Sequence, residues 1–268
     1  MNRKTILITG ATEGIGKLAA TDLAIRFTDA NILIHGRNKE KLESTSAQIK
    51  SKTGNLKIHT YLADFSSLED VRKISKEILA DHESLDILIN NAAAGFAAPR
   101  LGKDGTETRF TVNYLAPFLL THLLLGIIQK PVSSRIVNVA SAGQAPIHFD
   151  DIMMDKDFDA VAAYARSKLA LIMFTIDLAE QLKTVTVNCL HPGTYLDTGM
   201  VREAGIHPLG TAQSGADAVV YLATSPDLKN ITGKYFNVKS EARANAQAYD
   251  NNARKKLENI GLQLTKLF

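Results

Sequence analysis

The chain has 268 residues, 31 basic and 28 acidic, for a formal net charge of +3, and 45% of it is hydrophobic. That charge is too small and too dispersed for a nucleic-acid partner, and the apolar residues are spread so that no membrane span is expected. A single cysteine, Cys189, excludes an internal disulfide, and the scattered histidines lack ligand spacing, so no metal is expected either.

The chain enters an apolar strand at once, over residues 5–9, which leaves no room for a signal peptide and points to the cytoplasm. Gly10-Ala11-Thr12-Glu13-Gly14-Ile15-Gly16 follows directly. A helix then carries Ile15, Leu18, Ala19, Leu23 and Phe27 on one face, and residues 31–35 read as a second strand. Strand, glycine-rich turn, helix and strand within about 30 residues is the setting a dinucleotide fingerprint requires. Gly10 permits the tight turn, Gly14 admits a pyrophosphate to the backbone, and Gly16 lets the helix lie close to the strand. The helix N-terminus offers N–H groups and a positive dipole end to phosphates. The second strand ends His35-Gly36-Arg37-Asn38, with no carboxylate for the adenine-ribose hydroxyls. Arg37 suits a 2′-phosphate instead, so NADP(H) is expected ahead of NAD(H).

An amphipathic helix is expected over 39–51 and a third strand over 57–62, which ends in Ala63-Asp64-Phe65-Ser66. Ser66 or Ser67 before Glu69-Asp70 reads as a helix cap. A fourth strand, 85–89, leads into Asn90-Asn91-Ala92-Ala93. Asp104-Gly105-Thr106-Glu107 opens a long apolar helix containing Asn113, with Pro117 four residues later, a pattern that predicts a kink. The fifth strand, 135–139, places Ser141 just past its C-terminal end, where open α/β sheets bind ligands. The irregular stretch 144–161 is expected to wall a substrate pocket. A long helix then runs to about residue 182, with Tyr164 and Lys168 one turn apart on one face. A lysine ammonium beside a phenol lowers the tyrosine pKa from its usual value of about 10, toward use as a general acid or base. By itself this pair also fits a surface tyrosine beside a solvated lysine. A sixth strand, 186–190, precedes His191-Pro192-Gly193. Residues 194–216 are expected to form a mobile lid, with a helix over 212–223, a last strand over 234–238, and a helical tail over 240–268. Leu257, Ile260, Leu264 and Leu267 give that tail an apolar stripe suited to its own domain, the pocket or another subunit. No linker or repeat divides the chain, so residues 1–268 are read as one domain.

Thr-Gly-x-x-x-Gly-x-Gly at 9–16, Asn-Asn-Ala-Ala at 90–93, Ser141, Tyr-x-x-x-Lys at 164–168 and Pro-Gly-x-x-x-x-Thr at 192–198 occur in the order that resembles the short-chain dehydrogenase/reductase family. The run from Asp104 through Val112-Asn113 to Phe118-Leu119-Leu120 is similar to its retinol-dehydrogenase and WW-domain-oxidoreductase branch. Doubly wound α/β is inferred from the residues; the resemblance adds a seven-stranded parallel Rossmann sheet of order 3-2-1-4-5-6-7 with helices on both faces. It implies Thr12, Glu13, Ile15, Asn38, Phe65, Asn91, Ala92 and Ala93 as cofactor contacts, and Asp64 on the adenine amino group. Pro192, Gly193 and Thr198 would hold the nicotinamide carboxamide. It implies Ser141 on the substrate oxygen, Tyr164 as the proton donor, Lys168 on the nicotinamide ribose and Asn113 as holder of a relay water. Two features depart from the pattern: Ala93 stands where the family has glycine, and Glu13 where many NADP-preferring relatives have a basic residue. The expected activity is reduction of an aldehyde or ketone, or oxidation of an alcohol, by a homodimer or homotetramer. A non-catalytic NADP-binding sensor or scaffold on the same fold is the rival reading. A nucleotide-sugar epimerase is disfavoured by the glycine spacing.

Overall fold

The computed structural model describes residues 3–267; Met1, Asn2 and Phe268, the ends of the expected domain, lie outside the described residues. Seven parallel strands form the sheet: β1 (Thr5–Ile8), β2 (Asn31–Gly36), β3 (Ile58–Leu62), β4 (Ile87–Asn90), β5 (Ser134–Val139), β6 (Val185–His191) and β7 (Tyr235–Asn237). Their spatial order is β3-β2-β1-β4-β5-β6-β7, as the resemblance implied. The sheet also carries an eighth strand, β8 (Ser240–Ala242), antiparallel to β7. That is a correction: the residues that open the expected helical tail turn back along β7 in a short hairpin.

The strands are apolar runs because both faces of the sheet are covered. Along β1, Leu7 points into one core, and Ile6 and Ile8 point into the other. On the second face lie α1 (Gly14–Arg26), α2 (Lys39–Thr53) and α8 (Ala212–Thr224). On the first lie α3 (Leu68–Asp81), α5 (Ala116–Ile128), α6 (Ala160–Gln181) and α9 (Asn251–Thr265). Local chemistry sets their ends: Asn38 caps α2 by accepting from Lys41 N at 2.9 Å, and Ser67 caps α3 by accepting from Asp70 N at 3.3 Å. Gly54 closes α2 in the left-handed conformation.

The helix predicted to kink does so through one π turn. A short α4 (Thr108–Phe110) runs through Thr111–Leu115, where Ala116 N–H reaches back five residues to Thr111 O, and continues as α5. Pro117 has no N–H to offer the Asn113 carbonyl, which is why the ladder shifts register there. Among the described residues this run, Thr108–Ile128, is also the one helix long and apolar enough to cross a membrane by length and composition, and most of it is buried inside the protein. Its outer side is apolar because α9 covers it: Tyr114 Oη donates to Leu257 O at 3.1 Å, and a Cβ on Gly261 would lie 2.7 Å from Tyr114 Oη. The tail therefore packs on its own domain, with Arg254 paired to Asp177 at 2.9 Å and Glu180 at 3.0 Å. Residues 212–216, counted with the lid in the sequence reading, are the first turn of α8.

Candidate active site

The C-terminal ends of β1, β2, β4, β5 and β6 share one edge of the sheet, and the sequence-predicted residues gather along it. Gly10 has φ +63°, and a Cβ there would stand 2.7 Å from Ala92 Cα. A Cβ on Gly16 would stand 2.3 Å from Gly10 O and 2.4 Å from Asn91 Nδ2. Only glycine lets α1 begin so close to the strand ends. Asn91 Nδ2 donates to Thr9 O and Gly10 O, both at 2.9 Å, and Thr9 Oγ1 accepts from Asn91 N and Ala92 N. The asparagine segment thus stitches the turn to β4, and its small alanines leave the backbone open beside it. The departure at Ala93 disturbs none of these bonds.

His35, which the sequence reading passed over, sets the other side of the turn. Its Nδ1 accepts from Gly10 N at 3.2 Å, so its Nε2 carries the proton and donates to Ala63 O at 3.1 Å. Burial pulls its pKa down to about 4, which keeps the ring neutral and the acceptor available. The Phe65 ring stacks on it at 4.0 Å and is itself buried, so Phe65 supports the loop from within. Thr12 O accepts from Thr45 Oγ1 at 3.2 Å. Ile15 reaches toward α8, where a Cβ on Gly215 would lie 2.9 Å from its Cδ1. Arg37 and Asn38 are exposed at the rim, and the Glu13 carboxylate is paired with Lys41 at 3.0 Å. That pairing offsets the Glu13 charge. Asp64 accepts from Ser66 N and Ser66 Oγ at 3.0 and 2.9 Å, with Lys103 at 3.4 Å. Burial works to raise its pKa, but those hydrogen bonds and Lys103 hold it below the ordinary carboxylate value.

At the far end, Gly193 has φ +136°, Pro192 is buried beside it, and Thr198 precedes α7 (Gly199–Glu203). Residues 195–210 fold back on themselves: Leu209 N donates to Tyr195 O and Asp197 N to Gly210 O, both at 2.8 Å. A Cβ on Gly14 would lie 3.3 Å from Thr198 Cγ2, so this segment arches over the glycine turn.

Between the two ends stand the candidate catalytic groups. Ser141 lies past β5, its Oγ accepting from Gly143 N at 3.0 Å and its carbonyl from Tyr235 Oη at 3.2 Å. Tyr164 presents its hydroxyl to the Ser141 hydroxyl. Burial lifts the Tyr164 pKa above the ordinary phenol value, and the Ser141 hydrogen bond pulls it partly back. Lys168 is buried, sits 5.7 Å from the Tyr164 ring centroid, and donates from Nζ to Val139 O at 2.8 Å. Burial draws its pKa from 10.5 to about 7. The downward shift of Tyr164 expected from Lys168 is therefore not found among the protein groups alone: burial sets the net direction, and it is upward. Both groups are desolvated, and the ammonium is turned to a backbone carbonyl rather than to the phenol.

Asn113 does not satisfy its own helix. Its Oδ1 accepts from Ala94 N at 2.7 Å, and its Nδ2 donates to Ala94 O at 3.1 Å and to Ser167 Oγ at 2.9 Å. Ser167 Oγ in turn donates to Tyr164 O at 2.7 Å. The Asn113 side chain is a clamp between the β4 loop and the Tyr164 helix. Residues 4–208 match the family model described as short chain dehydrogenase. Retinol dehydrogenase 13 of Mus musculus is 36% identical over 95% of this chain and 81% of its own length. Among solved structures, an uncharacterised protein from Mycobacterium paratuberculosis superposes with a TM-score of 0.79 at 26% identity, covering 98% of this chain and 93% of its own. A short-chain dehydrogenase from Escherichia coli CFT073 complexed with NADPH gives a TM-score of 0.70 at 28% identity, covering 89% and 98%.

Proposed function

Because the chain belongs to the short-chain dehydrogenase family, in its retinol dehydrogenase branch, we propose that it is an NADP(H)-dependent oxidoreductase that reduces an aldehyde or ketone to an alcohol, or runs the reverse. The observation that carries this reading is the convergence of Ser141, Tyr164 and Lys168 from β5 and α6 onto one edge of the sheet, beside the glycine turn. A binding module has no use for a proton donor at that place. The turn through Gly10, Gly14 and Gly16 fits a dinucleotide, because the missing side chains let the N-terminus of α1 close against the strand ends, where its free N–H groups can meet a pyrophosphate. The nicotinamide, when bound, supplies or takes the hydride.

Ser141 Oγ holds the substrate oxygen, and Tyr164 Oη gives it a proton in reduction or takes one in oxidation. Lys168, when charged, stabilises the phenolate left behind and binds the nicotinamide ribose. Asn113 fixes α6 against the β4 loop, so that the tyrosine meets the substrate in one orientation. Arg37 supports NADP(H) over NAD(H), with Lys41 neutralising Glu13 nearby. Thr198 and Gly193 would hold the carboxamide, and residues 195–210 would act as the lid. A cytoplasmic setting and a homo-oligomeric assembly belong to the same reading. Oxidation of NADPH against a panel of aldehydes, ketones and quinones tests it. Turnover is expected, and Tyr164→Phe should lower it by about 10²–10⁴-fold with NADPH affinity retained. Tight NADPH binding with no turnover beyond that of Tyr164→Phe on any panel member would favour the sensor or scaffold reading.

A further inference from the structure

The loop that leaves β4, residues 91–101, crosses in front of α6, and Phe96 sets its ring edge-on to Tyr164, with centroids 4.8 Å apart at 61°. Within the loop, among the described residues, only Ala98 N bonds back, to Gly95 O at 3.3 Å. Its middle is held chiefly by one guanidinium. Arg109 is 1% exposed and donates to Phe96 O at 2.8 Å, Ala98 O at 2.7 Å and Pro99 O at 3.3 Å. Its charge is met by Glu107 at 3.0 Å, itself 2% exposed, whose other oxygen accepts from Phe110 N at 2.7 Å. Phe158 lies over Arg109 at 5.4 Å and over Arg100 at 5.6 Å, and Arg100 pairs with Asp155 at 2.7 Å. The loop is thus tied as well to the segment that leads into α6.

Arg109 and Asn113 are four residues apart, so they share one face of the helix. Asn113 grips the start of the loop at Ala94 and the Tyr164 backbone through Ser167. Arg109 grips Phe96, Ala98 and Pro99. One helical face therefore sets both the phenol and the ring beside it. Only arginine offers a planar fork wide enough for three carbonyls and a carboxylate at once; a lysine ammonium has three donors at one point.

We propose that Arg109 is a positioning residue for the oxidoreductase chemistry, acting through Phe96 to hold the Tyr164 phenol desolvated and aimed at the substrate. The inference rests on the catalytic reading above, but its test does not need turnover. Ser141 and Lys168 are the polar and charged groups that face Tyr164 from β5 and from its own helix, and neither touches Arg109. Biosynthetic 3-fluorotyrosine gives one fluorine resonance for each of the seven tyrosines, and Tyr164→Phe assigns the one that matters. The phenol midpoint of that resonance is followed by NMR in wild type, Phe96→Ala, Arg109→Lys and the double variant. Arg109→Lys is chosen because it keeps a charge against Glu107, whereas Arg109→Ala would strand a buried carboxylate and risk unfolding.

Removing the ring rehydrates the phenol, so Phe96→Ala lowers the midpoint by about one pH unit. Arg109→Lys lowers it in the same direction, and the double variant goes no further than Phe96→Ala alone. With a carbonyl substrate, Arg109→Lys lowers kcat by about tenfold while KM for NADPH stays within about twofold. A midpoint left unmoved by Arg109→Lys, or two shifts that add, overturns the proposal. A wild type that turns over no carbonyl yet shows the coupled shifts sinks the catalytic reading and leaves the Arg109–Phe96–Tyr164 coupling standing.

Discussion

At the scale of single residues, the site keeps two ionisable groups out of water with few charges to offset the cost. Lys168 is the clearest case, since burial depresses its pKa to about 7. The unfolded chain binds that proton up to 10.5, so between pH 7 and 10.5 it binds more protons than the folded one and stability rises with pH. Below about 7 the penalty is fully present. Lys168→Met removes it while keeping the volume. Scanning calorimetry of the cofactor-free protein is therefore expected to give the variant a higher Tm at pH 6, with the advantage fading toward pH 10. An unchanged or lower Tm at pH 6 would mean that the bond to Val139 O outweighs the desolvation. The same variant is expected to lose turnover, the outcome for a residue kept at a cost in stability for the sake of the proposed chemistry.

At the scale of elements, the glycine turn and α1 are joined so closely that volume, and not only backbone conformation, is decisive. Gly16 sits in a helix, where alanine is ordinarily favoured. Here its Cβ would stand 2.3 Å from Gly10 O, so α1 must shift outward. Gly16→Ala is expected to cost about 1–3 kcal/mol in urea unfolding and to weaken both NADPH and NADH in calorimetric titration. A gain in stability with affinity intact would show that the turn can yield. This role was legible in the sequence, because the fingerprint assigns it to its third glycine. The partners that hold the turn were less legible. His35 reads as a strand-end polar residue until β1 and β3 flank it, and only then does its ring have one donor and one acceptor to meet. Arg109 reads as a helical arginine two residues after a glutamate, and only the return of the β4 loop turns it into a buried clamp. Pro117 signalled a kink in advance, but not that the change would be a π turn at Thr111–Leu115.

For the whole molecule, cofactor binding and folding are linked, because the cradle exists only in the folded chain. NADPH at saturating concentration is expected to raise Tm by several degrees, and by more than NADH does. Arg37→Ala should erase the difference between them and leave the NADH shift unaltered. Equal shifts in the wild type would remove the case for an NADP(H) preference. Arg37 is the group tested because it is exposed at the end of β2 and, unlike Glu13 and Lys41, forms no ion pair among the described residues.

By itself the sequence determined most of the strands and helices and the order of the motifs. These depend on local periodicity and turn chemistry, and each is written within a stretch of at most about 30 residues. The tertiary structure alone decided what those residues do to one another. It turned the start of the tail into β8 and laid α9 over the apolar helix, because that face of Thr108–Ile128 needed covering. It drew Asn113 away from its own helix to Ala94 and Ser167, and it reversed the expected shift of Tyr164. Burial and long-range hydrogen bonds come from elements far apart in the chain, so desolvation at Tyr164 and the grip of Arg109 on its loop become visible only when the sheet brings β4, β5 and α6 to one edge.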